Sequence, residues 1–147
     1  MNEIFLQLDD ENKPPLIKPQ KYEFVYVYHE TIKLFSGRAL KVVYWFRVYS
    51  MGEYNGIVLP RYYNIQKIIG KPGKNGLFVA GWKSDFLREY ARLFGMPLRK
   101  DRLPLGCYTK HIFEGTVRTV IKGANQKLID KGLQYSVIGE LTGVKKI

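Results

Sequence analysis

Trp45 and Tyr49, interleaved with Lys41 and Arg47 on one alternating run, are the residues of this 147-residue chain whose types and spacing best suit chemistry. That chemistry is binding, not bond breaking. In residues 40–49 (LKVVYWFRVY), Leu40, Val42, Tyr44, Phe46 and Val48 point one way, and Lys41, Val43, Trp45, Arg47 and Tyr49 the other, because side chains alternate along a strand. The first set can form a core face. The second offers rings on which bases stack and cations that neutralise phosphate. A strand buried on both sides, with Trp45 in a second core and Lys41 and Arg47 at its margins, fits the same pattern.

The charge balance also favours a polyanionic partner. The formal net charge is +11, unevenly distributed: residues 1–30 hold six carboxylates against three lysines, and from residue 31 onward the chain carries about +14. Other chemistries find few residues. His29 and His111 have no Cys or His companions at metal-ligand spacing, and the carboxylates are scattered, whereas a nuclease needs several that converge. Asp85 and Glu89 share one side of a helix and read as a capping residue and a surface charge. Cys107 reads as a small, partly buried residue. One cysteine permits no internal disulfide, no apolar run is long enough to cross a membrane, and the start of the chain lacks the basic character of a signal peptide. The expectation is a cytoplasmic, non-catalytic protein with no cofactor and no metal.

The elements that must position these residues can be traced in order. Residues 1–20 read as an arm, charged at Asp9, Asp10 and Glu11 and broken by Pro14, Pro15 and Pro19; it is expected to be dispensable for folding and able to shield a basic groove, the alternative being a docked arm in which Ile4, Phe5 and Leu8 cover the barrel or a partner subunit. Residues 21–147 form one domain. A first strand covers residues 21–30, with its inward side undecided, and Ser36-Gly37 turns into a second over 38–50. Asn55-Gly56 leads to a third over 57–65, which Pro60 assigns to an edge or a bulge. The glycine-rich residues 67–83 are either a phosphate-contacting arm or a β-hairpin insertion. Asp85–Phe94 is a helix, capped by Ser84 and ended by Gly95 and Pro97, with Arg88, Glu89 and Arg92 opposite its apolar face. Strands over 112–122 and 133–141 close the chain. Their expected inner faces are Phe113, Gly115, Val117, Thr119 and Ile121, and Leu133, Tyr135, Val137, Gly139 and Leu141. Three strands, a short helix and two strands is the order of an OB-type five-stranded barrel.

This layout resembles the phage- and plasmid-encoded single-stranded-DNA-binding proteins with an OB fold. The likeness runs through the tyrosine-rich strand ending in Glu30, the segment LKVVYWFRVYSMGEYNGIVL, the pair Tyr63-Asn64, the helix end Leu93-Phe94-Gly95, and Phe113-Glu114-Gly115 leading into the later strands. It covers about residues 20–144. The chain departs from the familiar bacterial members in ending Gly143-Val144-Lys145-Lys146-Ile147, where they carry an acidic tail that recruits partners. The resemblance implies single-stranded DNA, or RNA in its place, as the ligand, with a homo-oligomer and replication or recombination proteins as further partners. Trp45, Tyr49 and Tyr63 are the expected stacking residues, and Lys41, Arg47, Arg61, Arg118 and Lys122 the groove cations. Lys71, Lys74, Lys83, Arg99 and Arg102 would extend the phosphate track. The alternative is an inhibitor or adaptor from a mobile element that binds a host protein or ribonucleoprotein.

Overall fold

The computed structural model describes residues 15–99, 103–123 and 127–147, and the chain is mainly β. In chain order the strands are β1 (Lys21–Leu34), β2 (Ala39–Val48), β3 (Val58–Asn64), β4 (Lys67–Ile69), β5 (Gly73–Lys74), β6 (Leu77–Val79), β7 (His111–Val120) and β8 (Tyr135–Lys146), with the helix α1 (Asp85–Phe94) after β6. The five long strands form one antiparallel sheet in the order β3-β2-β1-β7-β8, to which β5 adds on β1. Its outermost strands, β3 and β8, touch each other, with no ladder of hydrogen bonds between them among the described residues. Pro60 lies on outermost β3, opposite Trp45, where its missing N–H interrupts no central ladder.

Alternation on β2 sends Val42, Tyr44, Phe46 and Val48 into the core, as the sequence predicts. The first strand could not be read this way because its register with β2 slips by one residue between Tyr26 and Tyr28. A bulge of this kind swaps the faces of everything beyond it. Tyr22 and Phe24 are buried before the slip, and His29 and Thr31 after it. Tyr28 and Glu30 therefore turn to the opposite side of the sheet.

The last strand corrects a second expectation. Tyr135, Ser136, Val137 and Ile138 are all buried, so the first part of β8 has two covered faces. Ile138 and Leu141 join the main core, whereas Tyr135 and Val137 form a smaller cluster with Val120, against which Tyr62 and Ile129 pack. Leu133 and Ile121, assigned to inner faces from alternation, are exposed. Register slips in the β7–β8 pair, between Glu114 and Gly115 and between Thr116 and Val117, break the simple period.

Helix α1 has the predicted bounds. Ser84 Oγ accepts from the Leu87 N–H, and Gly95, at φ 93°, closes the last turn through its N–H to the Ala91 carbonyl. Phe86, Leu87, Tyr90 and Leu93 are buried, and the helix packs on both β3 and β8, across the line where those strands meet. Residues 67–83 take the hairpin form: β4 pairs with β6, and the excursion between them reaches β1 through β5.

Residues 15–20 do not behave as a free arm. Ile17 is buried in the main core, its N–H donates to Ser136 Oγ at 2.8 Å, and the same hydroxyl donates to the Ile17 carbonyl at 3.2 Å. The Ser136 N–H donates in turn to the Pro15 carbonyl. This docking argues against dispensability for residues 15–17; the acidic cluster Asp9 to Glu11, like Ile4, Phe5 and Leu8, lies outside the described residues. Ser136→Ala strips two buried partners from Ile17, and a buried group left unsatisfied costs about 1–3 kcal/mol. Urea titration should register a loss of that size, and an unchanged midpoint would refute the docking.

Candidate nucleic-acid interface

With β2 in the middle, the outer face of β1, β2 and β3 is a grid set by strand register. Its rows are Ile32, Lys41 and Asn64; Glu30, Val43 and Tyr62; Tyr28, Trp45 and Pro60; Val25, Arg47 and Val58. Tyr28 stands here only because of the bulge before it. Residue neighbours across an antiparallel pair are close enough for their side chains to act together.

The third row is the aromatic centre. The Tyr28 and Trp45 rings lie 6.3 Å apart at 23°, an offset parallel pair, and both are half-buried. Trp45 Nε1–H donates to Glu30 Oε2 at 3.3 Å, which fixes the indole. The Lys74 ammonium sits 5.1 Å from the centroid of the Tyr28 ring. Burial and then the Glu30 carboxylate hold the Tyr28 hydroxyl above the ordinary tyrosine range. One row end is cationic: Lys41 Nζ donates to Asn64 Oδ1 at 2.9 Å, and burial lowers the Lys41 pKa below the usual lysine value. A half-buried indole beside a tyrosine, with the Lys74 ammonium over the tyrosine, can stack a base and neutralise its phosphate.

The predicted residues divide between this face and elsewhere. Lys41, Trp45 and Arg47 are on the grid, and Tyr49, 48% exposed, follows directly. Val43 is buried, so the middle of the face is closed and the open part runs from Trp45 towards Tyr49. Lys74 joins the face; Lys71 and Lys83 are exposed on the hairpin and just after it. Arg118 and Lys122 are exposed, with the Arg118 stem against Gly139 on β8. Arg99 lines a cleft of about 490 Å³ with Tyr90, Phe94, Met96 and Leu98, and Arg102 lies outside the described residues.

Arg61 and Tyr63 leave the binding set. Both point inward from β3 and are buried, at 8% and 3% exposure. The Arg61 guanidinium pairs with the Glu89 carboxylate and lies 4.2 Å over the Tyr63 ring. Glu89 is the matching correction: it is 1% exposed, not a surface charge, and its Oε1 accepts from Arg61 Nε, the Tyr63 hydroxyl and the Leu141 N–H. Burial opposes the Arg61 charge, but Tyr63 and Glu89 outweigh it and hold the guanidinium pKa above its usual value. These groups link β3, α1 and β8. Sequence reasoning missed Tyr28 and Glu30 as face residues, because only the slip after Tyr26 brings them beside Trp45.

Elsewhere, the Cys107 thiol donates to the Pro104 carbonyl at 3.0 Å, and burial pushes its pKa up, the reverse of what a nucleophile requires. Among the described residues no three His, Cys, Asp or Glu side chains gather as metal ligands, and no helix is long and apolar enough to cross a membrane. No family model matches the chain, and no curated protein and no solved structure matches it significantly.

Proposed function

We propose that the chain is a non-catalytic single-stranded-DNA-binding protein, largely indifferent to base sequence, built on an OB-type five-stranded barrel. Support for the barrel comes from the strand order, in which β1 stands between β2 and β7 while β3 and β8 touch across α1. The observation that carries the function is the Tyr28–Trp45 pair on the outer face of β1 and β2, with Lys74 over Tyr28 and Lys41 and Arg47 along the same strand face. Stacking on ring faces tolerates every base, and the charge of about +14 beyond residue 30 supplies attraction to the backbone. Ring faces are reached by unpaired bases and not by the stacked bases of a duplex, which favours a single strand. The likeness to phage and plasmid proteins of this kind points to replication or recombination of a mobile element.

Fluorescence anisotropy with labelled single-stranded DNA, duplex DNA and RNA across a salt series tests the reading. Single strands should bind most tightly, with affinity falling steeply as salt rises, by a log–log slope of about −0.7 for each phosphate neutralised. Trp45→Ala should weaken binding by about 1–3 kcal/mol while the protein stays folded. Equal or tighter duplex binding, or full affinity in Trp45→Ala, would overturn it.

A further inference from the structure

We propose that His29 and Thr31 form a latch on β1 that positions Lys74, through the excursion of residues 70–76, as a fixed phosphate contact beside the Tyr28–Trp45 pair. The inference rests on the single-strand reading above and assigns a role to residues outside the binding face itself. Beyond the β1–β5 pairing, further bonds fasten the excursion. Thr31 Oγ1 accepts from the Gly73 N–H at 3.1 Å, the His29 carbonyl accepts from the Asn75 N–H at 2.8 Å, and His29 Nε2–H donates to the Gly76 carbonyl at 3.1 Å. Because a carbonyl only accepts, that last bond puts the imidazole proton on Nε2. Nδ1 is then left to accept from the Tyr26 hydroxyl at 2.8 Å.

The anchors are deep and what they hold is not. Thr31 is 0% and His29 6% exposed, whereas Gly70, Lys71, Pro72, Lys74 and Asn75 are all exposed. The excursion thus buries little apolar surface of its own, and the product of the anchoring is the place of its side chains. Pairing of Thr31 with Gly73 and of Glu30 with Lys74 sets Lys74 one strand away from Glu30 and over Tyr28. Gly76 completes the fit: a Cβ there would stand 2.3 Å from Thr31 Oγ1 and 2.9 Å from the Gly73 carbonyl oxygen, closer than real atoms approach. A side chain at residue 76 must therefore shift Thr31 Oγ1 or the Gly73 peptide, the two partners of the bond that fastens the excursion. A cation held at fixed distance from a stacking ring matches the regular spacing of base and phosphate along a strand, and ordering it in advance removes that cost from binding.

The test compares Lys74→Ala, Gly76→Ala, their double variant, Thr31→Val and Thr31→Ser in single-stranded-DNA binding over a salt series, with thermal melts alongside. Lys74→Ala should reduce the salt slope by about 0.7, the share of one phosphate. Gly76→Ala should lose the same slope and the same fold in affinity, and the double variant should be no weaker than either. Thr31→Val, which keeps shape and drops the hydroxyl, should follow Gly76→Ala, and Thr31→Ser should restore the wild-type slope. A wild-type slope in Gly76→Ala or Thr31→Val, or losses that add in full in the double variant, would overturn the latch. An unchanged slope in Lys74→Ala beside a weakened Trp45→Ala would overturn it while leaving the single-strand reading intact. Absence of any single-strand binding by the wild type would remove both.

Discussion

Glu89→Ala should lower the unfolding free energy by about 3–5 kcal/mol, since removing one partner of a buried ion pair leaves the other charge uncompensated. The Arg61 guanidinium would remain at 8% exposure with no carboxylate, and the Tyr63 hydroxyl and the Leu141 N–H would each lose an acceptor. The effect should exceed that of an ordinary helix substitution because Glu89 gathers donors from β3 and β8 at once. Those two strands share no ladder, so the carboxylate is one of the polar fastenings across their meeting line. Paired replacement by apolar residues, Arg61→Met with Glu89→Leu, should recover much of the loss, since the cost lies in the unpaired charge. Guanidinium chloride titration measures both variants against the wild type. A Glu89→Ala midpoint near wild type would contradict the burial of this pair.

Phe86→Ala is expected to destabilise by about 3–5 kcal/mol, the range for truncating a buried aromatic ring. Phe86 is fully buried, and its ring meets Tyr63 and Phe78 edge-on, each at 5.1 Å, and Tyr44 at 5.7 Å. It therefore joins α1 to β2, β3 and the β4–β6 hairpin in a single contact set. The cavity left behind has walls from four elements and cannot close by moving one of them. Refolded protein should still bind single-stranded DNA with wild-type salt slope below its melting temperature, because the rings Phe86 meets on β2 and β3, Tyr44 and Tyr63, face inward, away from the grid. Unchanged stability would mean that the helix does not pack as described.

What could be read in advance depended on whether the signal was local. Helix α1 announced itself at both ends, by Ser84 and Gly95, and the two faces of β2 followed from ten residues of unbroken alternation. The first strand defeated the same reasoning because the slip at Val27 is a two-strand event: nothing in the sequence of β1 alone says which residue its partner skips. The same slip hid Tyr28 and Glu30, half of the aromatic centre. Arg61 and Glu89 were misread for a different reason. A charge looks solvated until its partner is known, and this partner lies 28 positions away on another element. Trp45, Lys41, Arg47 and Lys74 were legible because residue type alone marks them as ring or cation, and alternation set the first three on one face.

The fastening of Ile17 to Ser136 bears on how the molecule is made. The two residues are 119 positions apart, so at about 5–20 residues per second the ribosome needs about 6–24 s between them. During that interval β1, β2 and β3 can pair as a meander, since neighbours in sequence are neighbours in the sheet. Phe24, Phe46 and Leu59 then have no opposite wall, because Phe113, Ile138 and Leu141 are still to come. The nascent chain therefore presents a greasy, half-built shell, and the segment around Ile17, made early, is among the last to be secured. Chaperone contact should concentrate on this three-strand stage, and release should coincide with emergence of β8.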